Sequence, residues 1–119
     1  MRVADFVIKF LADKKISTVF TVSGGGSIFL CDALYKSKRL NYVSCHHEQA
    51  VSFATESFSR VNNKPGAAII TTGPGGTNCT TGVACCWIDS VPSEEVMTLL
   101  SVKTPSKSKI TIFILSKFI

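Results

Sequence analysis

Residues 41–78, "NYVSCHHEQAVSFATESFSRVNNKPGAAIITTGPGGTN", decide how the chain folds. "NYVSC" is short and centred on Tyr-Val, which suits a strand. Ala50, Phe53, Ala54, Phe58 and Val61 then recur at helical spacing. "NNKPG" turns the chain. "AAIITT" runs from apolar into hydroxyl residues without alternating, as expected of a strand buried on both faces. Strand, helix and buried strand together make a βαβ unit, and that unit implies a parallel sheet.

The pattern extends upstream. Val3, Phe6, Val7, Phe10 and Leu11 form the apolar stripe of a first helix. "STVFTV" is a strand and "SGGGS" a turn. Ser27 is placed to cap a helix running through Leu34 and Tyr35, whose negative end suits Lys36, Lys38 and Arg39. Strands starting near 18, 41 and 67 predict an α/β fold, a parallel sheet flanked by helices on both faces. After it, "GPGGTN" leads into a weak helix, "CTTGVACCWI". Ligands of such sheets sit at the carboxyl ends of the strands. Three loops fall there: residues 23–27, 45–48 and 73–78.

Composition narrows the function classes. The 119 residues are 45% apolar and 18% charged, which is globular rather than disordered. No apolar run approaches the ~20 residues of a membrane span, and no signal peptide is read at the start. Five cysteines without a C-x-x-C pair fit reduced thiols in a cytoplasmic protein. The net charge of +5 is uneven: residues 1–95 carry nine Lys/Arg against eight Asp/Glu, whereas residues 96–119 carry four Lys and no acid. A solvated basic tail explains this without nucleic acid.

The loops themselves admit several chemistries. Cys45, His46 and His47 are adjacent and point in different directions, so they make a poor metal set. Gly24–Gly26 and Gly73–Gly76 each lack the third glycine of a dinucleotide loop, and Pro74 has no N–H for a phosphate. Turns requiring positive φ would explain the glycines equally well. A small nucleotide-binding domain therefore stays open on residues alone. Glu48 lies well over 100° around the helix from the apolar stripe. Periodicity makes it a first-turn acid turned away from the core, although a carboxylate beside two glycine loops could also face a ligand or a second subunit. No G-x-S-x-G elbow supports hydrolysis.

"VFTVSGGGSIFLCDAL", "CHHEQAVSFATESFSRVNNKPGAAIITTGPGGTN" and "TGVACCWIDSVP" together resemble the N-terminal pyrimidine-binding domain of thiamine-diphosphate enzymes, especially those like acetolactate synthase. The resemblance covers residues 1–92. Most of the family reads V-P-G-G where this chain has Val22-Ser23-Gly24-Gly25. The Ser-Gly-Gly-Gly form and the double His resemble a subgroup from surface-polysaccharide pathways. The resemblance implies that Glu48 hydrogen-bonds the cofactor's aminopyrimidine and so helps generate the reactive carbanion at C2. A poorly solvated site would raise its pKa. Gly73, Pro74, Gly75 and Asn78 would form the second wall of that pocket. Ser23, Gly24 and Gly25 would border the entrance, and His47 would be a substrate-side neighbour. The implied substrate is a small 2-keto acid.

Two departures follow from the same resemblance. The family holds the diphosphate and Mg²⁺ through Gly-Asp-Gly and a later Asn on another domain, and this sequence contains no Gly-Asp-Gly. A homodimer or a partner chain carrying that domain is implied, with the chain a fragment, a truncation or a separate subunit. The alternative is a non-catalytic dimerisation module. Residues 93–119 form a divergent tail, so the domain is expected to be incomplete at its C-terminal end. Within the tail, residues 110–115, "ITIFIL", are expected to dock as a substitute strand. Residues 93–109 would then be a crossover whose short apolar face is Val96, Met97, Leu99 and Leu100.

Overall fold

β/α alternation produces nine elements among the residues that the computed structural model describes, 1–89, 91 and 97–100. They run α1 (Val3–Asp13), β1 (Thr18–Thr21), α2 (Ile28–Lys36), β2 (Asn41–Ser44), α3 (Glu48–Asn62), β3 (Ala67–Ile70), α4 (Pro74–Asn78), α5 (Thr80–Ile88) and β4 (Met97–Leu100). All pairings are parallel, in the order β2-β1-β3-β4. β1 is in register with β2 from Thr18↔Asn41 to Thr21↔Ser44, and with β3 from Val19↔Ala67 to Thr21↔Ile69. The α/β expectation, with helices on both faces, is borne out.

Successive strand residues point to opposite faces, and the cores divide accordingly. Val19, Ala67 and Ile69 face α1 and α2, where Leu11, Leu30 and Leu34 complete one cluster. Phe20, Ala68 and Ile70 face the other way, with Val51 of α3 and Cys79. β3 has a strand on each side and all four of its residues are buried, as its unbroken apolar text requires.

Three expectations need correction. The buried stripe of α1 is Ala4, Val7, Ile8, Leu11 and Ala12, one position round from the one read. Val3 and Phe6 are more than half exposed. Two alanines allow closer approach to the sheet than valine and phenylalanine would, and the sequence satisfies either stripe. Second, the buried face of α3 is Val51, Ser52, Thr55, Glu56 and Ser59, not the apolar set, and Val61 is 84% exposed. Hydroxyls become tolerable there because they turn back on their own helix. Thr55 Oγ1 donates to the Val51 carbonyl at 2.8 Å and Ser59 Oγ to that of Thr55 at 2.9 Å. Ser59 Oγ also accepts the Gly66 N–H at 3.0 Å, tying the end of α3 to the turn before β3. Third, Met97, Leu99 and Leu100 lie in a strand beside β3, in register from Ala67↔Met97 to Ile70↔Leu100, not in a crossover helix. Residues 110–115 lie outside the described residues.

Candidate functional site

The strand order reverses at β1. The β1–α2–β2 crossover covers one face and β2–α3–β3 the other, so a crevice opens at the carboxyl ends of β1 and β3. The three predicted loops leave the sheet at this edge, because the strands that feed them are parallel.

Glu48 is the first residue of α3 and is half-buried. His47 precedes it in extended conformation and caps the helix: its Nδ1 accepts the Gln49 N–H at 3.1 Å. A neutral ring with Nδ1 so engaged carries its proton on Nε2. Cys45 packs against the α3-side core, and its N–H donates to the Thr21 carbonyl at 2.8 Å. The run Cys45-His46-His47-Glu48 is therefore a strand end, a cap and a helix start.

Glu48 faces α4. Asn78 Nδ2 donates to Glu48 Oε2 at 3.1 Å across thirty residues of sequence. Cys79 Sγ donates to the Glu48 main-chain carbonyl at 3.1 Å. A Cβ placed on Gly75 would stand 2.7 Å from Thr71 Cγ2 and 2.8 Å from Glu48 Oε1, so a larger residue here would push α4 away or displace its neighbours. Gly73 has φ of +68°, a conformation that excludes ordinary side chains at little cost to glycine. Pro74 takes the first helical turn of α4, where a missing N–H costs nothing.

The other glycine loop works differently. Gly73 is the only glycine with positive φ among the described residues, so the positive-φ reading fails for Gly24, Gly25 and Gly26. Gly24 and Gly26 are required by proximity. A Cβ on Gly24 would stand 2.5 Å from Thr71 Cβ, and one on Gly26 3.0 Å from the Thr72 side chain. Gly25 faces open space. Ser27 occupies the N-cap position of α2 but does not cap it. Its buried Oγ donates to the Gly24 carbonyl at 3.2 Å, closing the turn. Ser23 lines a separate cavity of about 180 Å³ on the α2 side, with Cys31, Tyr35 and Tyr42. That cavity does not reach Glu48, whose carboxylate opens on the surface of the edge.

The electrostatics correct one expectation. Hydrogen bonding by Asn78, and then by the residue's own backbone N–H, lowers the Glu48 pKa below its ordinary value, against partial desolvation. The carboxylate is charged at neutral pH. Burial, followed by the charge of Glu48, pushes the Cys79 thiol up to about 11, so it stays protonated beside the acid.

Reading the sequence motif by motif misses Thr71 and Cys79. Thr71 is the first threonine of the strand text "AAIITT" and touches both glycine loops. A hydroxyl just past a buried parallel strand is the signal that could have marked it. Behind the site, Arg60 donates to the mostly buried Glu56 and to Asp89, both at 2.6 Å, fastening the end of α5 to α3.

Comparison with known proteins is consistent with this geometry. Residues 1–108 match the family described as thiamine pyrophosphate enzyme, N-terminal TPP binding domain. Acetolactate synthase 3, chloroplastic, of Brassica napus is 40% identical over 89 residues, 75% of this chain and 14% of its own length. The probable acetolactate synthase large subunit of Methanocaldococcus jannaschii is 37% identical over 92 residues, 77% of this chain and 15% of its own. Acetolactate synthase isozyme 3 large subunit of Escherichia coli K12 is 34% identical over 89 residues, 75% of this chain and 16% of its own. The chain thus spans about one seventh of the length of these relatives.

Proposed function

This chain belongs to the thiamine pyrophosphate enzymes, through their N-terminal TPP-binding domain, and from that premise we propose that it supplies the aminopyrimidine half of a thiamine-diphosphate site in an acetolactate-synthase-like enzyme acting on 2-keto acids. The observation that carries the reading is the meeting of Glu48 with Gly75 and Asn78 at the switch-point edge. The residues fit the cofactor's ring. A carboxylate is available for a ring nitrogen, and the wall beside it is glycine backbone that a flat ring can approach.

When bound, thiamine diphosphate supplies the carbon that stores the electron pair released from a 2-keto acid. Glu48 holds and returns a proton at the ring nitrogen. Asn78 donates to Oε2 and Oε1 stands beside Gly75, so Asn78 would orient the carboxylate that holds that nitrogen. A partner covering this surface would exclude water and raise the carboxyl pKa from its present low value, easing proton sharing. Gly73 and Gly75 keep side chains out of the ring's path, and Pro74 fixes the start of α4 between them. Ser23, Gly24 and Gly25 border the entrance, and His47 presents Nε2–H on the substrate side.

The diphosphate and its Mg²⁺ are assigned to a domain outside these 119 residues, whether on a further stretch of the same protein, a second copy or a partner chain, since no Gly-Asp-Gly occurs among them. Five free thiols support a cytoplasmic setting, and no helix among the described residues is long and apolar enough to cross a membrane. Met97–Leu100 extend the sheet beside β3, so of residues 93–119 only the stretch after Leu100 is assigned to a tail beyond the pyrimidine-binding unit.

Calorimetry tests this division of labour. Thiamine diphosphate with Mg²⁺ is expected to bind the chain weakly alone, and tightly when a diphosphate-binding domain is supplied in trans. Micromolar affinity without any partner contradicts it. No gain over the partner domain alone favours a non-catalytic dimerisation module instead.

A further inference from the structure

We propose that Thr71, just beyond the carboxyl end of β3, is a positioning residue that registers the entrance loop against the Glu48 carboxylate, its hydroxyl holding the loop and its methyl group holding α4. The functional meaning rests on the assignment of Glu48 above; the geometry does not.

Both ends of this one side chain are engaged. Oγ1 accepts the Gly26 N–H at 3.3 Å across 45 residues of sequence. The loop lies so close that a Cβ on Gly24 would stand 2.7 Å from the same oxygen, and one on Gly26 3.1 Å from it. On the other side, Cγ2 is 2.7 Å from where a Cβ of Gly75 would stand, and that point is itself 2.8 Å from Glu48 Oε1. Gly75 is therefore a spacer between the Thr71 methyl and the carboxylate. Asn78 lies on the same short helix and donates to Oε2. Any shift of α4 relative to Thr71 moves both groups that α4 sets beside the Glu48 carboxylate, Gly75 and Asn78.

The chemistry of the side chain matches these two duties. Serine would keep the acceptor for Gly26 but open a gap under Gly75. Valine would keep the bulk under Gly75 but lose the acceptor. Close-packed contacts transmit such losses instead of absorbing them. Threonine is the residue that joins a hydroxyl and a methyl on one carbon, where the two loops converge.

The test is a crossed pair of variants in the full chain without cofactor, read by NMR of isotopically labelled protein. Thr71→Val is expected to shift the amide resonances of residues 24–26 and leave the Glu48 titration midpoint in place. Thr71→Ser is expected to keep those amides and raise the midpoint as Asn78 loosens. Thr71→Ala should do both. Each folded variant tests its own arm, so loss of one leaves the other decisive. Leu11→Ala, a lesion in the opposite core, should move neither readout. The proposal is overturned if valine and serine disturb both loops alike, or if neither disturbs its own. The crossed pattern needs no cofactor. Its absence indicts Thr71 alone, whereas failure of the calorimetric test indicts the functional assignment and leaves this pattern intact.

Discussion

The two faces of the sheet bury different chemistry. Against α1 and α2 the cluster is wholly apolar, with Leu11, Val19, Leu34 and Ile69 at most 2% exposed. Against α3 the buried set mixes Val51 with Ser52, Thr55, Glu56 and Ser59. Apolar packing tolerates sliding more readily than hydroxyls that must each keep a partner. The first face is suited to holding the domain together. The second is suited to fixing where α3 starts, and α3 starts at Glu48.

That contrast breaks most easily at Leu11. Leu11→Ala should destabilise the chain by about 2–5 kcal/mol, a cavity in a fully buried site, while the Glu48 titration stays put. Denaturant unfolding and carboxyl NMR on the same sample check both halves. A moved Glu48 midpoint would show that the two faces are not separable.

A smaller stability loss with a larger effect on the site is expected at Gly82. A Cβ there would stand 2.2 Å from Ser52 Oγ and 2.5 Å from Ser52 Cβ, so α5 must retreat from α3. Gly82→Ala should cost about 1–3 kcal/mol by overpacking. Because α5 follows directly from Asn78 and Cys79, the variant should also raise the Glu48 midpoint. A stability loss with an unchanged midpoint would show that the α3–α5 contact does not set the site.

The smallest effect on stability is expected at Asn78. Asn78→Ala removes the main cause of the lowered Glu48 pKa, so the midpoint should rise toward the ordinary 4.5. A depressed folded-state pKa contributes stability that is present above the unfolded value and lost as pH falls through the folded one. The difference between wild type and variant should therefore be present near neutral pH and disappear in acid. Asp5, Asp13 and Asp32 are also held below their ordinary range, each by ion-paired hydrogen bonds. The comparison of the two proteins cancels their shared contribution. A difference that persists at low pH would trace to packing and not to the hydrogen bond.

The same contrast explains what was legible in sequence. β3 is legible because "AAIITT" has no period-2 alternation, as a doubly covered strand requires. The three site loops followed from parallel strand direction alone. α1 and α3 were each read on the wrong stripe, for different reasons. In α1 two apolar stripes overlap, and alanine size decides between them. In α3 the apolar residues are partly outward and the hydroxyls inward, an inversion that only i−4 hydrogen bonds make affordable. Glu48 needs the same correction: measured from the apolar stripe it turns away from the core, but it lies at i, i+4, i+7 and i+11 with Ser52, Thr55 and Ser59 on the buried face, and α4 comes to meet it there. Spacing could not reveal Thr71, whose importance lies in contacts with residues 24 and 75. The tail text "VMTLL" has helical spacing and strand composition at once, and pairing with β3 settles residues 97–100 as strand.

The central claim is that Glu48 is the acid facing the cofactor's ring, and exchange of the cofactor's C2 hydrogen with solvent measures it most directly. With the diphosphate-binding domain supplied, Glu48→Gln should slow that exchange by about 10²–10⁴-fold, because an amide cannot share a proton as a carboxyl group does. Cofactor affinity should change far less, the ring hydrogen bond being one contact among many. Exchange at the wild-type rate in the Gln variant would contradict the assignment outright.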